Sequence, residues 1–176
     1  MQKIKTSWKY YQISSAEQNQ KNWADCIKSV CTMHTYPELL YALDQTKKAG
    51  LENFLDLNFF KDSIMPMWED SENVNGGRII MEVPQSQKDI LHSLWARTVV
   101  FCSLEPTEGI NGCVFAEKAN YRICIWISNP SVAEEVANAW RHVLNCSSAT
   151  FTFTLHNRQG DSSKYKRNYS KNKSRF

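Results

Sequence analysis

The sequence predicts an α/β (α+β) fold, with a curved antiparallel β-sheet, about three helices on its convex face and a ligand pocket on its concave side. Three observations lead to this prediction. Short segments with apolar residues at alternate positions recur along the chain, as in half-buried strands. Longer segments repeat apolar residues every three or four positions, as amphipathic helices do. Because strands outnumber helices, helices on one side of the sheet leave its other face free for a ligand.

The N-terminal third predicts three strands and one helix. Thr6–Ile13 alternates weakly, and Ile27–Thr32 forms the next apolar segment after a polar loop. Thr35 with a Glu three residues later is typical of a capping box, so a helix should begin there. Gly50 offers the stop of that helix, and Leu57–Lys61 is a short apolar strand.

The middle of the chain predicts a strand at Gly77–Val83 and a long helix from Gln85 to about Ser103. The helix is predicted from apolar spacing alone. Its expected apolar face consists of Ile90, Leu91, Leu94, Trp95, Thr98, Val99 and Cys102. We expect this face to pack on the sheet.

A hairpin is predicted at Ile110–Lys118 and Tyr121–Ser128. Strand alternation should place Arg122, Cys124 and Trp126 on one face and three isoleucines on the other. Gly112, Val114, Ala116 and Lys118 of the first arm should share one face. A cation and an aromatic ring therefore emerge together on a sheet whose other side is apolar.

The C-terminal part predicts a helix at Pro130–Asn145 and a last strand at Ala149–His156. The residues expected to face inward from that helix are Val132, Val136, Ala139, Trp140 and Val143. Residues 1–156 are thus expected to form a single domain. Residues 157–176 are expected to be a basic loop and tail.

Composition restricts the class of protein. The chain has 176 residues, of which 42% are hydrophobic and 22% are charged, consistent with one packed core. Residues 157–176 contain seven Lys or Arg and one Asp, which gives a basic tail on a mildly acidic body. Such a tail either attracts a polyanion or is simply a solvated terminus. The N-terminus lacks an apolar signal-peptide core, and no apolar run is long enough to span a bilayer. Cys102, Cys113 and Cys124 lie inside apolar runs and are expected to be buried, reduced thiols.

The stretch from Ile64 to Arg78 carries the clearest functional signal. Trp68 stands directly beside Glu69, and Arg78 follows ten positions after the Trp. A Trp face stacks on a base, one carboxylate accepts the two N–H donors of a guanine edge, and a guanidinium pairs with phosphate. The combination suits a guanine nucleotide, although Trp68 alone would more often be a core residue.

This stretch resembles the eukaryotic translation initiation factor 4E family, whose members bind the 7-methylguanosine cap of mRNA. The resembling motifs are FKD at Phe60–Asp62, PMWED at Pro66–Asp70 and GGR at Gly76–Arg78. The resemblance covers roughly Trp8 to Leu155. It implies the same architecture and a protein that recruits capped mRNA for translation initiation.

The resemblance assigns the base pocket. It implies that Trp23 and Trp68 hold the methylated base between two indoles and that Glu69 accepts the guanine donors. Trp126 matches a Trp that touches the base methyl. The methyl group gives the base a positive charge, which indole faces favour.

The resemblance also assigns the phosphate site to Arg78, Lys118 and Arg122. Lys118 stands where the family has Arg, and a Lys lacks the fork of a guanidinium. Ala116 replaces the usual Asn, so one supporting polar contact is in question. Taken singly, each cation is as readily a solvated surface charge. A further expectation is that the tail cations Lys164, Lys166 and Arg167 reach the phosphates or the next nucleotide.

For the partner surface the resemblance implies a helical patch that binds a short peptide from scaffold factor 4G or from a 4E-binding repressor. Carried over, the patch consists of Tyr36, Leu40, Ala96, Arg97 and Val100. Leu40 replaces a Trp and Arg97 an acidic residue. We therefore expect a partner motif of altered sequence.

Two alternatives remain open at this point. One is a divergent cap-binding repressor, and the other is an enzyme that processes guanine nucleotides. No GxSxG, P-loop or HExxH motif occurs, so we expect binding without turnover, with no catalytic residue and no cofactor. The acidic residues Asp70 and Glu72 are a weak metal signal, and we expect no metal. The expected location is the cytoplasm, with the nucleus also possible, and no membrane partner is expected.

Overall fold

The computed structural model of the chain describes residues 3–13, 23–54, 56–146, 149–156 and 167–169, with backbone alone for Trp23, Ala24 and 167–169. The strands are β1 Lys3–Ile13, β2 Ile27–Thr35, β3 Asp56–Lys61, β4 Gly77–Val83, β5 Ile110–Glu117, β6 Tyr121–Ile127, β7 Phe151–Leu155 and β8 Arg167–Tyr169. The helices are α1 Tyr36–Ala49, α2 Lys88–Leu104 and α3 Ala133–Leu144. The described strands form one curved antiparallel sheet in the order β2-β1-β3-β5-β6-β4-β7-β8, which confirms the predicted fold class.

The two faces of the sheet differ in what covers them. In β6, Ile123, Ile125 and Ile127 lie in the large core that includes residues of all three helices. Cys124 and Trp126 belong to a smaller apolar cluster on the opposite, concave face. The face assignment predicted from alternation is therefore confirmed.

The helix-covered core takes up three of the chain's six Trp residues. Trp8 stacks on Phe59 with ring centroids 4.6 Å apart, and Trp140 stacks on Phe151 at 4.7 Å. Trp95, on α2, is fully buried in the same core. Fully burying a large apolar side chain stabilises the fold by roughly 1.5–3 kcal/mol, so this layer holds the helices on the convex side.

The start of α1 is fixed by the predicted capping box. Thr35 Oγ1 accepts a hydrogen bond from Glu38 N at 3.4 Å, and the Glu38 carboxylate accepts one from Thr35 N at 3.0 Å. Gly50, with φ of 79°, follows the last turn as expected. Among the described residues, no helix is long and apolar enough to cross a membrane.

Three details differ from the sequence prediction. Ile90 and Val143, predicted to face inward, are 45% and 39% exposed because only one stripe of each helix reaches the sheet. Residues Gln85–Gln87 form a 3-10 turn, so α2 begins later than predicted. Within the predicted tail, Arg167–Tyr169 forms β8, which pairs with β7. Its three residues carry no apolar alternation, so only the pairing with a distant strand reveals it.

Candidate functional site

A cavity of about 410 Å³ opens on the concave face of the sheet. The loop between β3 and β4 forms one wall, and side chains of β1, β3, β4, β5 and β6 supply the rest. The predicted site residues that line it are Trp68, Glu69, Arg78, Lys118, Arg122 and Trp126. Residues up to 58 positions apart in the chain, from 68 to 126, thus meet at one place.

Trp23 is the remaining residue of the predicted site. Its backbone opens a 3-10 turn, Trp23–Cys26, that leads directly into β2. Ile13 lines the cavity and pairs with Ile27 at the start of β2, so the end of this turn lies beside the cavity. The Trp23 side chain lies outside the described residues, and its stacking role stays a prediction.

A buried asparagine holds the loop that presents Trp68. Asn73 is 0% exposed, and its Nδ2 donates to Met65 O at 2.9 Å and to Met67 O at 2.8 Å. Its Oδ1 accepts a hydrogen bond from Asn111 Nδ2 on β5 at 2.9 Å. Both carbonyls belong to residues just before Trp68, so this network sets the direction in which the indole leaves the loop.

Two further features tighten the same loop. The Asp70 carboxylate accepts hydrogen bonds from Met65 N and Glu72 N, both at 2.9 Å. At Gly76 a Cβ would lie 1.9 Å from Ile127 O, so only glycine fits where the loop closes on β6. The GGR motif therefore has a packing role in addition to supplying Arg78.

The base end of the cavity presents a free aromatic face and a solvent-accessible carboxylate. Trp68 is 51% exposed, unusual for so large an apolar side chain, and Glu69 beside it is exposed. The loop around both is nevertheless held by buried hydrogen bonds. An ordered loop that leaves an indole in water is typical of a stacking platform, and the interpretation of Trp68 as a core residue is wrong.

Trp126 forms the floor of this end and is only 8% exposed. Phe60 meets it edge-on at 5.4 Å between centroids, and the His156 ring lies 4.1 Å from it. Gly112 makes this packing possible, because a Cβ there would lie 2.5 Å from the Phe60 ring. Trp126 is thus nearly buried by its neighbours, whereas the Trp68 side chain is half exposed.

The three predicted cations line the cavity from Trp126 to the hairpin turn, a part that we call the phosphate end. Arg78 stands beside Trp126 in the β4–β6 pairing, and Lys118 and Arg122 lie toward the turn. Arg78 is half-buried, and its Nε donates to Thr154 Oγ1 at 3.4 Å. Lys118 lies exposed at the start of the hairpin turn. Arg122 already has a partner, since its Nε and Nη2 both donate to Glu82 Oε1, at 3.1 and 2.9 Å. This end can bind an anionic group, but one of its cations is engaged.

Asp56 and Asn58 were missed by the sequence reasoning, yet both line the cavity. Asn58 Nδ2 donates to Asp56 Oδ1 at 2.9 Å. Burial raises the pKa of Asp56 to about 6, while the Asn58 hydrogen bond and the positive charge of Lys118 oppose that rise. Alternation along β3, which places residues 56, 58 and 60 on one face, is the signal that could have identified them.

His156 was also missed. It stands just after β7, and its backbone N donates to Gly76 O at 3.1 Å. Burial, with the charge of Arg78 as a second cause, lowers the pKa of His156 to about 4. The ring is therefore neutral at pH 7 and supports Trp126 without adding charge. No local pattern around residue 156 indicates this position.

The arrangement can stack a planar ring on Trp68, accept hydrogen bonds at Glu69 and pair anions with Arg78, Lys118 and Arg122. The two ends lie in one cavity, as a nucleotide requires. Within the part of the chain that the structure describes, no three His, Cys, Asp or Glu side chains are grouped so as to hold a metal ion. Cys124, in the floor, is buried as predicted, and burial raises its pKa to about 12.

The predicted partner residues lie on the helix-covered side. Leu40 on α1 is 60% exposed, whereas Tyr36, Ala96 and Val100 are half-buried and pack on the core. Arg97 is exposed, but its Nη1 donates to Val143 O and Leu144 O, each at 3.2 Å. A cation at the last carbonyls of α3 compensates the partial negative charge at that end of the helix and so stabilises it. The sequence analysis did not anticipate this capping role.

A larger, apolar cavity of about 760 Å³ lies between α1 and the outer strands β1 and β2. Among the described residues that line it, only Glu38 is charged, and that carboxylate already caps α1. Val30 and Tyr41, which are 59% and 67% exposed, stand in its wall. Despite its size, it lacks the charges that a nucleotide needs and suits apolar side chains instead.

Comparison with known proteins yields one family. The family model described as eukaryotic initiation factor 4E matches residues 3–171. The isoform 4E-2 of Zea mays is 26% identical over 163 residues, which span 88% of this chain and 74% of the relative. Initiation factor 4E-2 of Schizosaccharomyces pombe is 30% identical over 152 residues, or 81% of this chain and 61% of the relative.

Solved structures share the fold. Ascaris suum eIF4E-3 in complex with the m2,2,7G cap aligns with a TM-score of 0.83 at 20% identity, covering 95% of this chain and 97% of the other. Caenorhabditis elegans eIF4E-3 in complex with the 4E-binding protein Mextli and a cap analog aligns with a TM-score of 0.76 at 21% identity, covering 88% and 92%. At these identities the likeness shows the architecture.

Proposed function

The chain belongs to the eukaryotic initiation factor 4E family, and from this premise we propose that it binds the 7-methylguanosine cap of mRNA and recruits the mRNA for translation initiation. The observation that carries the proposal is the convergence of Trp68, Glu69 and three cations in one cavity. We further propose the cytoplasm, where initiation takes place, as the site of action.

The mechanism is binding by complementary charge and shape. The Trp68 indole stacks on the methylated base, with Trp23 as the opposing stacker, and the positive base strengthens both contacts. Glu69 accepts the two N–H donors of the guanine edge, and Trp126 touches the methyl group. Arg78 pairs with the phosphates, together with Lys118 and Arg122 at the hairpin.

Tryptophan fluorescence titration with 7-methyl-GTP against GTP tests the proposal. We expect the methylated nucleotide to bind more tightly, because only it carries the positive ring charge. Trp68→Ala and Trp23→Ala should each weaken binding by about 1–3 kcal/mol, the usual contribution of a base–aromatic stack. Tyr41→Ala, an exposed aromatic on α1, serves as the matched control. Equal affinity for GTP and 7-methyl-GTP would refute cap recognition.

We also propose that the helical side binds a partner peptide of scaffold factor 4G or of a 4E-binding repressor. Support comes from the exposed Leu40 and from the apolar cavity beside α1. Structural neighbours are complexes with Mextli and, in the schistosome protein, with 4E-BP. Because Leu40 replaces an indole and cannot donate an N–H, we expect weak binding of the family's usual peptide.

A pull-down with that peptide, comparing wild type with Leu40→Trp, tests the partner proposal. Gain of binding in the variant would support it, and tight binding by the wild-type chain would refute it. Arg97→Glu is unsuitable as a companion variant, since the change would remove the cap on α3.

The two alternatives are not favoured. The family description and the related proteins are initiation factors, which favours neither a repressor nor a nucleotide-processing enzyme. Incubation with 7-methyl-GTP and magnesium should therefore yield no product. Co-purification with initiation factors would distinguish an activator from a repressor.

A further inference from the structure

One of the three cations at the phosphate end of the cavity, Arg122, is already engaged in an ion pair. Glu82 on β4 and Arg122 on β6 are direct neighbours in the antiparallel pairing of these strands. Arg122 donates from Nε and Nη2 to the single oxygen Oε1 of Glu82, at 3.1 and 2.9 Å. The two side chains are 45% and 50% exposed. Arg122 lines the cavity, and its carboxylate partner stands just outside the lining.

The neighbouring positions strengthen the effect of this pair. Strand pairing places Asp56, Ala116, Arg122 and Glu82 in one row across four strands. Arg122 therefore stands between two acidic positions, with only the small Ala116 on the Asp56 side. Its guanidinium is turned to Glu82. Two cations, Lys118 and Arg122, and two carboxylates, Asp56 and Glu82, thus stand at the hairpin side of the phosphate end.

We propose that Glu82 is a specificity-determining residue that competes with the ligand's phosphates for Arg122. It thereby reduces the advantage of a triphosphate over ligands with fewer phosphates. The inference rests on the proposed cap binding. Glu82 does not contact the base, so it changes the preference for phosphate charge and leaves base recognition unaltered.

Competition follows from the geometry of the pair. A guanidinium binds an anion best through two parallel N–H donors, and Glu82 takes both the Nε and one Nη2 donor. A phosphate must therefore displace the carboxylate or use the remaining donors. In either case the Glu82 charge stays close to the phosphates and repels them. Because both side chains are about half exposed, solvent screens the interaction and keeps it modest.

The experiment measures the affinity of wild type and Glu82→Gln for 7-methylguanosine, 7-methyl-GMP and 7-methyl-GTP at low salt. Glu82→Gln should bind 7-methyl-GTP about two- to fivefold more tightly, the range expected for an exposed ion pair. The gain should be smaller for the monophosphate and absent for the nucleoside. The salt dependence of 7-methyl-GTP affinity should become steeper, since a further cation is then available.

Two controls isolate the pair. Glu134→Gln removes an exposed carboxylate from α3, on the other side of the sheet, and should leave all three affinities unchanged. Arg122→Gln should remove the part of the gain that comes from releasing Arg122, so that Glu82→Gln has a smaller effect in that background. Thermal melts check that every variant is folded. We expect the Glu82 and Arg122 variants to fold, because both side chains are about half exposed.

The possible outcomes separate this inference from the proposed function. If neither the wild-type protein nor any variant binds a 7-methylguanosine ligand, cap binding itself is refuted. If the ligands bind but Glu82→Gln leaves the triphosphate preference unchanged, only the inference is refuted. A loss of triphosphate affinity in Glu82→Gln would also overturn it, since Glu82 would then orient Arg122 for the phosphates.

Discussion

The two ends of the concave cavity are built in opposite ways. The base end rests on a loop whose hydrogen bonds are buried, with Asn73 0% exposed, and it presents Trp68 from that rigid support. The phosphate end consists of half-buried or exposed cations interleaved with carboxylates such as Asp56 and Glu82. We therefore expect shape and hydrogen bonding to determine which base is bound, and balanced charges, sensitive to pH and salt, to set how strongly phosphate is held.

The largest effect is expected where the base end is held. Asn73→Ala removes three hydrogen bonds, to the carbonyls of Met65 and Met67 and from the Asn111 amide, although each of these groups keeps one other partner. Losing three hydrogen bonds of a buried side chain, at roughly 1 kcal/mol each, should lower the free energy of unfolding by about 3 kcal/mol. Cap affinity should fall at least tenfold as the Trp68 loop loses its orientation. Denaturant unfolding and a 7-methyl-GTP titration measure both.

Asn75→Ala, on the exposed side of the same loop, is the control for that variant. It should leave stability and affinity within error of wild type. If Asn73→Ala behaved likewise, the base end would not depend on the buried network, and the contrast between the two ends would fail.

The second effect concerns hydrogen bonding at the base end. Glu69→Gln keeps the side-chain shape but places an amide donor opposite the donors of guanine. We expect a loss of about 2 kcal/mol in cap affinity, within the range for charge-assisted hydrogen bonds. Calorimetric titration provides the measurement, with Glu72→Gln on the same loop as the control. Unchanged binding by Glu69→Gln would remove this carboxylate from the site.

The third effect tests the electrostatic character of the phosphate end through pH. The folded-state pKa of Asp56 is about 6, above its ordinary value, so the free energy of unfolding falls as pH rises from about 4 to 6. The pKa of His156 is about 4, below its ordinary value, so the free energy of unfolding rises over about pH 4 to 6.5. The two slopes oppose each other in wild type.

Asp56→Asn removes the first slope and leaves the second. We expect the variant to gain on the order of 1–2 kcal/mol relative to wild type between pH 4 and pH 7.5, because a charged carboxylate is no longer buried. Urea unfolding at several pH values measures the difference. A difference between the two proteins that stays constant across this range would show that Asp56 titrates normally.

The smallest effect sharpens the same end. Lys118→Arg introduces a planar fork where the chain has a point charge, so a phosphate could be bound through two parallel hydrogen bonds. We expect a gain of up to about 1 kcal/mol in 7-methyl-GTP affinity, as for exposed ion pairs. Lys88→Arg, at the start of α2, is the matched control. A gain of equal size in that control would show that the effect does not depend on the position of Lys118 in the cavity.

Much of the site could be predicted because its signals are local. Alternation placed Arg122, Cys124 and Trp126 on one face of β6, and the structure confirms it. The PMWED and GGR motifs identified the loop before any contact was known. His156 was missed because a single His after a strand carries no distinctive pattern. Asp56 was missed although alternation along β3 places it on the same face as residues 58 and 60.

The sequence by itself determined the elements, their faces and the chemical groups of the site, because periodicity and capping depend on residues within a few positions of one another. Only the tertiary structure decided which groups are engaged. Glu82 reaches Arg122 and Asn73 reaches Asn111 because the sheet order places β6 beside β4 and closes the Trp68 loop onto β5. Such partners lie about 40 residues apart, and no local preference specifies them, so the balance of charge in the cavity is a property of the folded sheet.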